Sequence, residues 1–367
     1  MALPRFLALL AIGGLSLGSS QPEPPEPEDE DRSVYQVLPE DEGDEYPPKG
    51  AEPIILGSEA PPGAAPWQVQ IYSTVPYTAA EKRHDATLSP IASRNPGGEA
   101  KKYLNERNDY ELNHRCGGAY LGELWIVTAA HCVAGKPFVG DKVNDVLTDR
   151  RVRMGTQSIS GGGATYPIDA VVIHRKYEPG GKSHDIALIR ITTRGKRGSI
   201  QSGRLKSIRL FKRELYGEAS LRARPLEVYG WGVTGPLVHG AENLRLDKDG
   251  KLQRSPSSLH YVGVTYLSYR ECRKYSALKG SLARGMICGL GRARDGEDDV
   301  FSDSCRGDSG GPLITKRSDG TERLVGLVSW GKGCGMPDMP GVYVDVSHYS
   351  LWIETAKVGI EPGVWRR

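Results

Sequence analysis

The 367-residue sequence predicts an all-β fold, and three observations carry that expectation. Short alternating runs, Arg151-Val152-Arg153-Met154 and Ala170-Val171-Val172-Ile173-His174, are separated by turn formers such as Gly161-Gly162-Gly163. Apolar runs of strand length, Leu124-Trp125-Ile126-Val127 and Leu324-Val325-Gly326-Leu327-Val328-Ser329-Trp330, read as buried strands. Between Val346 and Val358, Tyr349, Trp352, Ile353 and Ala356 fall at helical spacing, as a closing amphipathic helix requires.

Taken in order, the chain opens on a secretory signature over residues 1–20. Arg5 gives a positive start, Phe6 to Gly18 an apolar stretch, and Gly18-Ser19-Ser20 a small-residue cleavage zone. No later stretch offers the ~20 apolar residues of a membrane anchor, so the expectation is a secreted, extracellular protein with no membrane partner. Residues 21–50 are Pro-rich and carry eleven Asp/Glu against Arg32 and Lys49, a net charge of −9. Such a segment buries too little apolar surface to offset its ordering entropy, so residues 21–53 are expected as a disordered acidic leader. Residues 51–367 then carry +11. No stripe of interleaved basic and aromatic residues accompanies that charge, so no nucleic-acid partner is expected. Residues 76–115 hold mixed charges and turn formers, which read as a surface loop. A second charged insertion runs from Glu242 to Arg254; its Asp247-Lys248-Asp249-Gly250 lacks the rest of a calcium loop and reads as a turn. The six cysteines, Cys116, Cys132, Cys272, Cys288, Cys305 and Cys334, in an oxidising destination imply three disulfides rather than thiols or metal sites. Sequence alone leaves fifteen pairings open. No Asn lies in an N-x-Ser/Thr sequon, so no N-glycan is expected.

The chemistry concentrates in Asp303 to Pro312, D-S-C-R-G-D-S-G-G-P. Gly307 and Gly310-Gly311 allow a tight turn that aims the N–H groups of Gly307 and Ser309 at one point, the arrangement that holds an oxyanion. The embedded Arg306-Gly307-Asp308 could be read as an adhesion tripeptide, but it sits inside this better-explained turn. Ser309 needs a base, and the base an orienting group. Thr128-Ala129-Ala130-His131-Cys132 follows one apolar strand, and Asp185-Ile186-Ala187-Leu188-Ile189 opens another. With these three motifs in the order His, Asp, Ser, the stretch from about Ile54 to Ala356 resembles the chymotrypsin/trypsin-like serine peptidases.

That resemblance implies two six-stranded antiparallel Greek-key β-barrels with a short C-terminal helix, Tyr229-Gly230-Trp231-Gly232 opening the second barrel. It implies a trypsin-like peptidase domain over residues 54–367, a catalytic triad of His131, Asp185 and Ser309, and an oxyanion hole from Gly307 and Ser309. It suggests the pairings Cys116–Cys132, Cys272–Cys288 and Cys305–Cys334. Asp303 stands at the floor of the primary pocket, with Ser304, Ser329, Trp330, Gly331 and Gly341 around it. A buried carboxylate there favours substrates with Arg or Lys at the cleavage site. Between Gly155 and Ile168, where many relatives bind calcium, there is no Asp or Glu; no metal and no cofactor are expected. The expected state is a monomeric zymogen with an activating protease and protein inhibitors as further partners. A second function class, a non-catalytic homologue acting as a binding module, usually lacks a triad member, and this chain keeps all three.

In the family a freed N-terminal Ile pairs with the Asp beside the nucleophile, here Ile54 and Asp308. Leu56 stands where the family usually has Gly, and Pro53 precedes Ile54 where cleavage follows Arg or Lys. Our hypothesis is that cleavage after Lys49 leaves Gly50-Ala51 and Glu52-Pro53, two dipeptides of the type a dipeptidyl aminopeptidase removes. N-terminal sequencing of the active species then reads Ile54; an active species beginning at Gly50 overturns the idea.

Overall fold

Apolar side chains at alternate positions turn the first sheet into a closed barrel. A short strand, β1 (Ser58–Glu59), precedes it. The barrel strands are β2 (Gln68–Ser73), β3 (His114–Gly122), β4 (Trp125–Thr128), β5 (Arg150–Met154), β6 (Ala164–Ile173) and β7 (Ala187–Ile191). They pair antiparallel in the order β2-β3-β4-β7-β6-β5, and β5 returns to β2 through Val69↔Met154 and Ile71↔Val152. On β5 the alternation is plain: Val152 and Met154 are buried, while Arg151 and Arg153 are part-exposed. The computed structural model describes residues 55–359 apart from 87, 136–141, 194–204, 224, 236–251, 253, 295–296 and 318. The expected signal region, acidic leader, Ile54 and most of the 242–254 insertion lie outside the described residues.

The second half repeats the solution. After β8 (Arg209–Leu210) come β9 (Leu226–Gly230), β10 (His260–Leu267), β11 (Met286–Leu290) and a small pair, β12 (Ala293–Arg294) and β13 (Glu297–Phe301). The last strands are β14 (Pro312–Lys316), β15 (Glu322–Trp330) and β16 (Gly341–Asp345). Six of these close in the order β9-β10-β11-β16-β15-β14, with Leu313↔Val228 sealing the ring. The chymotrypsin-like architecture is thus present: two six-stranded antiparallel barrels and, at the end, a helix over Ser350–Lys357. Trp352, Ile353 and Ala356 of that helix share a core with Leu188 and Trp125 of the first barrel. Trp67 joins the barrels, edge-on to Tyr229 at 5.3 Å and donating from Nε1 to Glu322 at 3.0 Å. The disulfides are Cys116–Cys132, Cys272–Cys288 and Cys305–Cys334, as the resemblance implied.

The 76–115 insertion departs from the surface loop expected of it. It folds into four short helices: α1 (Ala79–Lys82), α2 (Ser89–Arg94), α3 (Glu99–Glu106) and α4 (Asp109–Asn113). Thr78 with Glu81, and Asn108 with Glu111, form capping boxes that satisfy the first N–H groups of α1 and α4. Leu88, Ala92, Ala100, Tyr103 and Leu104 gather with Leu252 into a separate buried cluster. Arg107 ties the ends together, donating to the carbonyls of Lys82 (2.9 Å) and His84 (2.8 Å) and to the Asp85 carboxylate (3.2 Å). Helices this short give too few turns for an apolar period to stand out in sequence.

The two insertions are joined by one charge pair. Arg254 grips Glu111 with two hydrogen bonds, 3.1 and 2.8 Å, and the Glu111 side chain has no exposure. Removing the guanidinium strands a buried carboxylate. Arg254→Ala should therefore lower unfolding stability by about 3 kcal/mol, measured by urea denaturation. Adding Glu111→Leu should return much of that loss; an additive double variant would show that the pair does not hold the insertion.

Candidate active site

The turn before β14 places Ser309. Gly307 has φ +104°, and a Cβ there would lie 2.9 Å from Gly232 Cα, so only glycine fits. Gly117 N–H donates to the Ser309 carbonyl (2.8 Å), and Gly310 N–H to the Val328 carbonyl (2.7 Å). These bonds pin both flanks of Ser309 to neighbouring strands. Neither the Gly307 nor the Ser309 N–H donates to a backbone carbonyl among the described residues.

His131 sits in the turn Ala130–Cys132 after β4, braced by the Cys116–Cys132 bond. Its backbone N–H donates to Asp185 Oδ1, and its Nδ1 meets Asp185 Oδ2, both at 2.8 Å. A carboxylate acceptor at Nδ1 makes that nitrogen an N–H donor. Ser329 Oγ donates to the same Oδ2 at 2.6 Å. The turn before Asp185 is strained: His184 has φ +54°. It is fixed by stacking on His174 (4.8 Å) and by the Tyr349 hydroxyl at Nδ1 (3.0 Å). The Ser309 carbonyl lies 3.6 Å from Cys132 Sγ, so the turn that carries Ser309 rests against the turn that carries His131. Cys116, His131 and Cys132 bring their donor atoms within 4.8 Å of one another, but both sulfurs are spent in the disulfide.

Asp303 is 4% exposed. Its Oδ2 accepts from Gly335 N–H at 3.1 Å, while Oδ1 has no partner of hydrogen-bond geometry among the described residues, although the neighbouring Ser304 N–H and hydroxyl still favour the charged form. That oxygen faces Gly341, where a Cβ would stand 3.0 Å away. The Ser304 hydroxyl bonds Tyr343 at 3.0 Å, Trp330 is half-buried, and Gly331 is exposed beside it. Burial pushes the Asp303 carboxyl up to about 7.

Asp308 is fully buried, with Oδ1 accepting from Gly232 N–H (2.7 Å) and Oδ2 from Cys305 N–H (2.8 Å). Burial still pushes its carboxyl up to about 7, because two neutral donors do not replace water around a charge. Ile55 is buried beside Val233 and the Cys305–Cys334 bond, and its carbonyl accepts from Asp303 N–H at 3.3 Å. Leu56 takes φ +58°, the left-handed region that the family's usual Gly enters without strain.

Two further roles were hidden from sequence reasoning. His114, at the end of α4, bonds the Gly307 carbonyl through Nε2 at 2.8 Å and turns its ring edge-on to Trp231. Ser329, expected only in the pocket wall, also anchors Asp185. The one local signal for His114 is its place two residues before Cys116.

Both raised carboxyls give the same pH sign. Their folded values exceed the ordinary 3.8, so the stability they contribute is complete below about 4 and is lost as pH rises to about 7. Asp303→Asn should flatten the fall in unfolding free energy between pH 4 and 7 by up to about 1.4 kcal/mol per pH unit. Urea titrations across that range check it; an unchanged slope would mean that Asp303 stays ionised throughout.

Comparison with known proteins agrees with this geometry. The Trypsin family model matches residues 100–353. Human transmembrane protease serine 11A is 32% identical over 259 residues, covering 68% of this chain and 51% of that protein. Mouse transmembrane protease serine 11C is 32% identical over 253 residues, covering 67% and 48%. Trypsin of Sarcophaga bullata is 30% identical over 261 residues, covering 71% and 85%. The chain thus spans about half the length of the two transmembrane relatives. Their names lend no support to the expected lack of membrane attachment; among the described residues no helix is long and apolar enough to cross a bilayer. The matched region contains His131, Asp185 and Ser309, and the chain belongs to the chymotrypsin/trypsin-like family of serine peptidases.

Proposed function

We propose that this chain is an active endopeptidase that hydrolyses peptide bonds after Arg or Lys. The observation that carries this reading is the buried Asp303, one of whose oxygens has no partner of hydrogen-bond geometry among the described residues and faces Gly341, which has no side chain to fill the space. Such a carboxylate gains most from a guanidinium or ammonium, and a guanidinium can bind it through two N–H groups. The roles proposed for the triad follow the family's template. Ser309 Oγ attacks the scissile carbonyl, His131 Nε2 takes its proton and later gives it to the leaving amine, and water releases the acyl group. Asp185 orients the imidazole and stabilises the imidazolium without taking the proton. The Gly307 and Ser309 N–H groups hold the oxyanion.

We further propose a secreted zymogen, with a signal over residues 1–20, a leader over 21–53 and the peptidase over 54–367. A freed Ile54 ammonium would meet the Asp308 carboxylate; the burial of Ile55 supports that placement. An activating protease and protein inhibitors fit the same scheme. The test is turnover of a peptidyl-arginine reporter by the processed protein. Ser309→Ala should reduce kcat by about 10⁶. Asp303→Ser should abolish the preference for basic residues, and an unchanged preference would refute the pocket assignment. No turnover by any processed form would favour the non-catalytic, partner-binding reading.

A further inference from the structure

The edge of β15 beside the nucleophile carries an unusual charge. Pairing between β15 and β14 ends at Leu327↔Pro312, whereas on the other side Trp330 still pairs with Val342. The Ser329–Gly331 edge is thus unpaired toward the Ser309 turn among the described residues, and an extended peptide can add there as a strand. With its basic side chain at Asp303, the residues preceding that side chain run past Trp330 and Gly331 toward Lys332.

Two ammonium groups wait along this path. Lys182 is exposed, and its Nζ stands 4.0 Å over the Trp330 ring. A cation over an aromatic face is held without losing its charge. Lys332 stands two residues beyond Trp330 in the chain, and partial burial first, then the Lys332 charge, push the Lys182 ammonium below its usual range. Neither lysine has a carboxylate within 4.0 Å among the described residues. Two neighbouring cations beside an open strand edge lack the anion that would relieve their repulsion.

We propose that Lys182 and Lys332 select substrates in which Arg or Lys follows a run of acidic residues. The inference rests on the Asp303 reading above and adds the residues before the cleaved bond. The chain itself contains such a sequence, Glu28-Asp29-Glu30-Asp31-Arg32, followed by Ser33. A second copy would cut it there: the Arg32 acyl group passes to Ser309 Oγ as the Arg32–Ser33 bond breaks and the Ser33 amine leaves with the proton His131 took from Ser309, and water then frees the Arg32 carboxylate and restores Ser309. This cut removes charge from the leader and leaves the Ile54 step to another cleavage.

The experiment compares kcat/KM of the processed enzyme on a peptide of residues 27–37 and on its amide analogue, with Gln for Glu and Asn for Asp at 28–31. Two partly screened ion pairs predict about a tenfold advantage for the acidic peptide. That advantage should shrink in ~0.5 M salt, where the Debye length is only a few ångströms, and Lys182→Glu should invert the preference. The salt series uses the unaltered protein, so it stands even where a variant fails to fold. Equal kcat/KM for the two peptides overturns this inference alone. Cleavage of neither overturns the arginine reading and the inference with it.

Discussion

The burial of one carboxylate sets the terms for the rest of the molecule. Asp308 has no exposed surface and is caught between the N–H groups of Cys305 and Gly232. A Cβ on Gly230 or Gly232 would lie within 2.8 Å of its carboxylate, so the exit of β9 must run bare against it. An ion stripped of water costs several kcal/mol unless it is paired, and two neutral donors leave Asp308 with its carboxyl at about 7. The turn that carries Ser309 is therefore built around a carboxyl whose charged form is disfavoured by burial. In the proposed scheme its cationic partner is the new ammonium of Ile54, and the left-handed Leu56 is the backbone strain accepted to bring it there.

The barrels solve a positioning problem that no single sheet can. His131 and Asp185 leave the first barrel, while Ser309 and Asp303 belong to loops of the second. Bonds across the seam keep the two sets in register. Gly117 N–H reaches the Ser309 carbonyl, Thr128 Oγ1 holds the Gly117 carbonyl at 2.8 Å, and Ser329 Oγ reaches back to Asp185. Each is anchored on a strand, where packing fixes the side chain to the fraction of an ångström that catalysis demands.

What was legible in the sequence was what local pattern encodes. Period-two runs and apolar stretches became β4, β5, β6 and β15 to within a few residues, although β6 begins at Ala164, earlier than the run at Ala170 suggested. Asp303 to Pro312 announced its turn because close approach of backbone demands glycine at fixed places. Contacts between distant residues left no such trace. Nothing near Ser329 points to Asp185, 144 residues away, and nothing near Lys182 points to Trp330. The helices of the insertion escaped for a different reason: their apolar positions are few, and part of their core, Leu252, comes from another insertion.

That insertion is fastened to the chemistry at a definite point. Its last helix, α4, ends on His114, which is also the first residue of β3 and the partner of the Gly307 carbonyl. The Gly307 carbonyl shares its planar peptide with the Asp308 N–H, which donates to the Cys305 carbonyl at 3.0 Å, so the His114 bond helps fix the peptide that lies between the two proposed oxyanion donors. Upstream, Glu111 of the same helix is buried and depends on Arg254. A change at the Arg254–Glu111 pair therefore acts on α4, then on the His114 ring, and then on the loop that presents the proposed oxyanion donors. Each link is a direct contact, and each joins groups that are buried or hydrogen-bonded. The insertion is on these grounds a support of the loop that carries Ser309, even though none of its residues belongs to the proposed triad.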